Sequence, residues 1–94
     1  MVKDKTLFTS ILGENSTIKV LEFLLENKYL DFGATDIATG SLVSNQMVYI
    51  VIKKLEKNDI VIKTRQLKGK QFYKLNEKNK ITKKLNELFV QILK

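Results

Sequence analysis

The chain has 94 residues, 44% of them hydrophobic, and 17 Lys and Arg against 10 Asp and Glu give it a formal net charge of +7, so we expect one compact domain over residues 1–94. The absence of Cys and His excludes disulfide frameworks, Cys/His zinc sites, thiol nucleophiles and imidazole acid–base chemistry, and we expect no enzymatic activity, no cofactor and no metal site. No apolar run reaches the ~18 residues of a membrane span and the first residues do not form a secretory signal, so we expect a cytoplasmic protein without a membrane partner.

Two amphipathic helices are predicted at the start of the chain. Residues 4–12 form a short helix that ends at Gly13, and residues 16–27 form a stronger one with Asn15 or Ser16 as its N-cap. A brief edge strand or turn over residues 29–32 ends at Gly33. The apolar residues that share one face of the first helix are Leu7, Phe8, Ile11 and Leu12.

The middle of the chain predicts a short helix, a tight turn and a longer helix. Residues 34–39 make one to two helical turns that close at Gly40, a residue type suited to the position after a helix. Ser44 is suited to be the N-cap of the next helix, residues 45–57, which ends at Asn58-Asp59. At 100° per residue, the residues of this helix that face the core are Val48, Val51, Ile52 and Leu55.

A basic β-hairpin and a last helix follow. The β-branched run 60–65 and the run 71–75 predict two antiparallel strands around a turn at 67–70. Residues 59–75 carry a net charge of +4 and residues 76–94 a net +3, whereas residues 1–58 are neutral in sum. Such a localised basic surface is typical of a polyanion-binding protein, and a merely solubilising surface is the alternative. Residues 80–93, N-capped by Asn76 or Asn79, form the last helix with the apolar stripe Ile81, Leu85, Leu88, Phe89 and Ile92.

This order of elements predicts an α+β fold that is mainly α with a small β-hairpin. It contains a helix-turn-helix over about 34–58, a wing over about 60–75 and terminal helices over about 4–12 and 80–93. Three segments resemble archaeal winged helix-turn-helix transcriptional regulators: LGENSTIKVLEFLLEN, TDIATGSLVSNQMVYIVIKKLEKNDIV and GKQFYKLNEKN. The resemblance covers roughly residues 11–90, extends to the broader bacterial and archaeal winged-helix repressors, and implies a DNA-binding domain that is usually a homodimer. Met47 and Ile50 depart from the family pattern, which more often has Thr or Ser and a polar residue there.

The outward face of helix 45–57 is the predicted contact to the major groove, and the 63–74 hairpin is the predicted contact to the backbone or the minor groove. Asn45 and Gln46 suit adenine, the helix N-terminus at Ser44 suits a phosphate, and Ile50 suits a thymine methyl. The alternatives are a protein contact through Tyr49 and Ile50, and a solvated hairpin with charged edges. The predicted DNA-binding residues are Ser44, Asn45, Gln46, Tyr49, Lys53, Lys57, Lys63, Arg65, Lys68, Gly69 and Lys70.

The two terminal helices carry more apolar surface than a small winged domain usually buries. We expect them to pair across a two-fold axis in a homodimer, and the alternative is that each folds onto its own domain. The predicted dimer-interface residues are Leu7, Phe8, Ile11, Ile81, Leu85, Leu88, Phe89 and Ile92.

The function predicted from these features is sequence-specific binding of double-stranded DNA by a dimeric transcriptional repressor that occupies operator DNA in the nucleoid. The first alternative is an architectural or partition-type protein that coats DNA with little sequence preference. The second is a winged-helix module that binds a protein partner. The sequence specifies no small-molecule effector.

Overall fold

Five α-helices and a three-stranded antiparallel sheet make up the computed structural model, which describes residues 6–93. The predicted α+β class is confirmed. Residues 4 and 5, where the predicted first helix begins, lie outside the described residues. No helix within residues 6–93 has the length and apolar character needed to cross a membrane. The elements are α1 (Leu7–Leu12), α2 (Ser16–Glu26), β1 (Phe32–Gly33), α3 (Ala34–Ser41), α4 (Asn45–Lys57), β2 (Val61–Leu67), β3 (Lys70–Leu75) and α5 (Lys80–Leu93).

The core lies between α2, α3, α4 and the sheet. Val20 and Leu24 of α2 and Ile37 of α3 are fully buried there. The face of α4 predicted to be buried is the face that is buried, and each such aliphatic side chain contributes about 1.5–3 kcal/mol to folding. One side of α4 is therefore held firmly by the core, and the opposite side is left in solvent. The buried residues of α4 are Val48, Val51, Ile52 and Leu55.

Side-chain hydrogen bonds cap the N-termini of α4 and α5. The Ser44 hydroxyl accepts a hydrogen bond from the backbone N–H of Met47 at 3.2 Å, as predicted for the start of α4. Of the two candidate caps for α5, the structure uses Asn79, whose side-chain oxygen accepts from the N–H groups of Ile81 and Thr82. These bonds satisfy N–H groups that have no partner inside the helix, so a side chain of the sequence marks the start of α4 and of α5.

Gly40 does not have the role predicted for it. It lies inside α3, and the left-handed residue that ends this helix is Leu42, with φ +59° and ψ +41°. A Cβ atom added at Gly40 would overlap Cε1 of the Phe23 ring on α2. The Phe23 ring also packs on the Phe32 ring, with 4.8 Å between their centroids. The glycine therefore permits a close approach of α2 and α3 and does not end a helix.

We expect Gly40→Ala to lower the free energy of unfolding by about 1–2 kcal/mol. Overpacking against the Phe23 ring costs about 1–3 kcal/mol, and the better helix propensity of Ala offsets up to about 1 kcal/mol of this. Urea unfolding measures the difference. The same change made in a Phe23→Leu background should cost less, and an equal cost in both backgrounds would show that the ring is not the obstacle.

The sheet has the strand order β1–β3–β2, so the hairpin gains a third strand that the sequence indicated only as a brief edge strand or turn. Phe32 and Gly33 pair with Tyr73 and Phe72 of β3. The hairpin closes through a two-residue turn in which Lys68 has φ +51° and Gly69 has φ +78°. Two successive positive φ angles are typical of the type I′ turn, whose twist matches that of the flanking strands.

A β-bulge interrupts the hairpin ladder. Between Lys63 and Gln66, β2 has one residue more than the facing stretch of β3. The extra residue brings the side chains of both Thr64 and Arg65 to Asp31, the residue before β1. The hydrogen bonds of these two side chains to Asp31 therefore join the hairpin to the segment that leads into the helix-turn-helix.

The terminal helices α1 and α5 pack on each other within the chain, which corrects part of the predicted dimer interface. The Phe8 and Phe89 rings meet edge to face at 5.4 Å between centroids and are only 1% and 5% exposed. Both rings are buried within their own chain, so they have no exposed surface to offer to a second copy. The other predicted interface residues differ in exposure: Leu7, Ile11, Ile81 and Leu88 are exposed, whereas Leu85 and Ile92 are half-buried.

Candidate nucleic-acid interface

The outward face of α4 is exposed along its length. Gln46, Ile50, Lys53 and Lys57 follow one another at spacings of four, three and four residues, which places them in a line opposite the buried face. Tyr49, on one side of this line, is exposed as well. Within residues 6–93 no carboxylate pairs with Lys53 or Lys57. This line can therefore offer one amide, one apolar side chain and two ammonium groups to a partner.

The start of α4 adds polar groups at one end of this line. Asn45 and Gln46 are exposed directly after the Ser44 cap. The N-terminus of a helix carries a partial positive charge and N–H groups that bind anions. In the described part of the chain, the predicted contacts Ser44, Asn45 and Gln46 thus lie together at the positive end of an exposed helix.

The charges of the hairpin divide into two groups. At its base, Lys63 pairs with Glu56 at 3.7 Å and Lys74 pairs with Glu77 at 3.3 Å. At its tip, Lys68 and Lys70 are exposed and have no carboxylate partner among residues 6–93. The basic charge that the sequence places along the whole hairpin is therefore unneutralised at the turn.

Arg65 is held by Asp31. Its Nε donates to Asp31 Oδ2 at 2.9 Å and a terminal nitrogen donates to Oδ1 at 3.3 Å, while its guanidinium lies 4.7 Å from the centre of the Phe72 ring. Thr64 also donates to Asp31, at 2.6 Å. Arg65, one of the predicted DNA contacts, remains more than half exposed while its guanidinium holds the hairpin to Asp31. The sequence carried no local signal of this arrangement, because Asp31 and Arg65 are 34 residues apart.

These bonds change the acid–base behaviour of Asp31. The hydrogen bonds from Thr64 and then from Arg65 lower the pKa of the Asp31 carboxyl. A carboxyl whose pKa is lowered by folding stabilises the native state above its ordinary pKa, and this contribution is lost as the pH falls through the lowered value. The Asp31 carboxyl is therefore ionised at neutral pH, and the stability that its bonds to Thr64 and Arg65 contribute is lost only in acid.

We expect Asp31→Ala to loosen the hairpin without unfolding the protein. The amides of β2 next to Thr64 and Arg65 should exchange with solvent faster, while the midpoint of global unfolding changes little because all the groups involved lie at the surface. Glu77→Ala is the matched control, since it also removes one carboxylate beside the hairpin. Equal exchange rates in wild type and Asp31→Ala would show that Asp31 does not position the hairpin.

A groove of about 360 Å³ separates the hairpin from the helix-turn-helix. Its lining includes Tyr49 of α4, Lys70 and Tyr73 of the wing, and Asp36 of the first turn of α3. Burial raises the pKa of the Tyr73 phenol and the Glu56 carboxylate raises it further, so this phenol is neutral at physiological pH. The lining therefore carries one carboxylate, from Asp36, and one ammonium group, from Lys70. Among residues 6–93 no three acidic side chains group to hold a metal ion.

Several solved structures resemble this arrangement. AF1382 from Archaeoglobus fulgidus is 17% identical, with a TM-score of 0.68 over 89% of this chain and 94% of that one. Sso10a-2, a DNA-binding protein from Sulfolobus solfataricus, is 18% identical, with a TM-score of 0.61 over 83% and 80%. A possible transcriptional regulator from Methanosarcina mazei Go1 is 20% identical, with a TM-score of 0.64 over 82% and 67%. No protein-family model and no curated protein matches the sequence.

TM-scores above 0.6 over more than four fifths of the chain, together with the order of its elements, decide the fold. The fold is a winged helix-turn-helix. The resemblance stated from the sequence is thus confirmed at the level of the fold. In this winged helix α3 and α4 form the helix-turn-helix, and the β2–β3 hairpin is the wing.

Proposed function

We propose that this winged helix is a sequence-specific double-stranded DNA-binding protein that acts as a dimeric transcriptional repressor. One observation carries the proposal: the uncovered face of α4 lies across a groove from a wing whose tip lysines have no carboxylate partner among residues 6–93. The fold itself is shared with a DNA-binding protein and with a possible transcriptional regulator. A repressor of this kind acts by occupying the DNA that a polymerase would use.

The major groove is the partner that α4 fits. A helix enters this groove with its first turns toward the base edges, and Gln or Asn there can bind adenine through two hydrogen bonds. Asn45 and Gln46 occupy the first two positions of α4. Lys53 and Lys57, about two and three turns after Gln46 on the same face, suit phosphates. Ser44 and the helix N-terminus suit the phosphate nearest the start of the helix.

The wing is proposed to contact the DNA backbone through Lys68 and Lys70. Lys68 adopts a left-handed conformation that costs a non-glycine residue about 1–2 kcal/mol, at a turn position where Asn, Asp or Gly is preferred. The turn conformation does not favour lysine, so the presence of Lys68 at this position supports a role for its charge. Gly69 lets the turn close, and its exposed backbone can approach a phosphate.

A homodimer is proposed to form through the exposed edge of α5. Ile81, Leu85, Leu88 and Ile92 are spaced by four, three and four residues, which is the spacing of a coiled-coil seam. The groove along this edge is lined by Ile81, Leu85 and Leu88 and by the stems of Lys80 and Lys84. Exposed Leu7 and Ile11 of α1 add apolar surface that a second copy can cover. Two copies would then present two α4 helices to a two-fold symmetric site.

Selection of bound duplexes from a random library at near-physiological salt tests the function. We expect a palindromic consensus bound by two protomers, with the stoichiometry read from the same samples. The matched variant Gln46→Ala should weaken the consensus more than random DNA, since phosphate contacts carry no sequence information.

Other outcomes of this selection would contradict the proposal. If the protein selects no consensus and binds longer DNA more strongly, an architectural DNA-coating role would be supported in place of a repressor. If the protein binds no duplex even at low salt, the interpretation as a winged-helix module that binds a protein partner would be supported instead.

A further inference from the structure

Ile50 holds the central place on the outward face of α4. Gln46 precedes it by one turn and Lys53 follows it by three residues, so it lies midway between the proposed adenine and phosphate contacts. Its side chain is 61% exposed. Folding does not require an apolar residue there, because the core side of α4 is already filled by the four buried residues of the opposite face.

The chemistry of an isoleucine in this position is specific. It has no hydrogen-bonding group, so it cannot contact a phosphate or read the donors and acceptors of a base. In the major groove, the one apolar group that a base pair presents is the 5-methyl of thymine. A β-branched side chain is also nearly fixed in one rotamer in a helix, so little side-chain freedom is lost when it packs on that methyl.

We infer that Ile50 determines specificity by packing against a thymine 5-methyl group in each half of the DNA site. The inference rests on the proposed function. Gln46, one turn earlier, suits adenine, so together the two side chains select neighbouring A·T pairs. The absence of arginine from α4 agrees with this, because an arginine fork is the commonest reader of guanine and Arg65 is held by Asp31.

The surroundings of Ile50 favour DNA over an apolar protein partner. The ammonium groups of Lys53 and Lys57, which no carboxylate among residues 6–93 pairs, lie on the same face, and the positive end of the helix lies about one turn before Ile50. An apolar partner would have to desolvate these charges without compensation. A DNA groove supplies the apolar methyl and the neutralising phosphates together.

Replacement of thymine by deoxyuridine, which lacks only the 5-methyl group, tests the inference. On the selected duplex, each thymine is replaced in turn and the Kd is measured for wild type, Ile50→Ala and Ile50→Val. Loss of one buried methyl contact should weaken wild-type binding about fourfold at one position of each half-site. Ile50→Ala should bind the thymine and deoxyuridine duplexes equally, and Ile50→Val should keep most of the preference.

The variants also separate a contact from a change in DNA shape. A methyl that acts only through the shape of the duplex would affect Ile50→Ala as much as wild type, and that result would overturn the inference. Tight binding that tolerates deoxyuridine at every position would overturn it too, while the proposed DNA-binding function stands. Failure to bind any duplex would overturn both. Ile50 is exposed and Ala favours helices, so the Ala variant is expected to fold.

Discussion

The double variant Lys68→Ala, Lys70→Ala should flatten the salt dependence of DNA binding by about 4 in the slope of log K against log salt. Each phosphate contact contributes about 0.9 to this slope, and a dimer would lose four contacts. Between 50 and 200 mM salt, the affinity of the variant would therefore fall roughly 100-fold less than that of the wild type. The measurement is a Kd series over salt on one fixed duplex.

A second double variant controls for charge alone. Lys78→Ala, Lys83→Ala also removes two exposed lysines, but from the region where α5 begins and not from α4 or the wing. It should leave the slope within about 1 of the wild type, because only lysines that displace counterions at the duplex contribute. If both double variants flatten the slope equally, the wing lysines make no special contact with the DNA. The salt dependence would then come from the net positive charge of the whole surface.

Phe89→Ala should lower the free energy of unfolding by about 3–5 kcal/mol, the range for a large aromatic side chain removed from a core. The Phe89 ring is 5% exposed and packs edge to face on Phe8, so its removal leaves a cavity between α1 and α5. Denaturant unfolding measures the loss. It should be the same at low and at high protein concentration, because the contact lies within one chain.

Leu88→Ala, one residue earlier on the same helix, is the matched comparison. Leu88 lies on the exposed edge of α5, so we expect its removal to weaken dimerisation and to change the stability of the monomer little. Sedimentation over a concentration series separates the two effects. A Phe89→Ala protein that unfolds like the wild type, or a Leu88→Ala protein that loses monomer stability instead of dimer affinity, would contradict the assignment of these two faces.

Local patterns were enough to predict most of the fold. Helical spacing identified the buried face of α4, and the Ser44 cap identified its start. The β-branched run 60–65, the turn at Lys68-Gly69 and the run 71–75 identified the hairpin. Each of these signals is complete within about ten residues of sequence, because caps, turns and amphipathic faces are set by near neighbours.

The features that the sequence did not predict depend on distant partners. Gly40 was taken for a helix end because its tight contact is with the Phe23 ring of another helix. The ion pair of Arg65 with Asp31 could not be predicted because Asp31 lies on a different element. A helix pattern identifies Phe89 as apolar, but only the packing of α1 on α5 decides that it faces its own chain. The DNA-contact residues remain predictions, with Ile50 added at the centre of their face.

The pairing of β1 with β3 has a consequence for the order of folding. Two residues, Phe32 and Gly33, are paired with residues about 40 positions later, and the loop they close contains the whole helix-turn-helix and most of the wing. Closing such a loop costs roughly 3 kcal/mol of chain entropy, whereas the wing turn joins residues that are already adjacent. The helix-turn-helix and the wing can therefore each form from local contacts before β1 joins them. The shortest strand of the sheet thus makes one of the contacts of longest sequence separation, beside the core in which Val61 and Leu75 of the wing pack with α3 and α4.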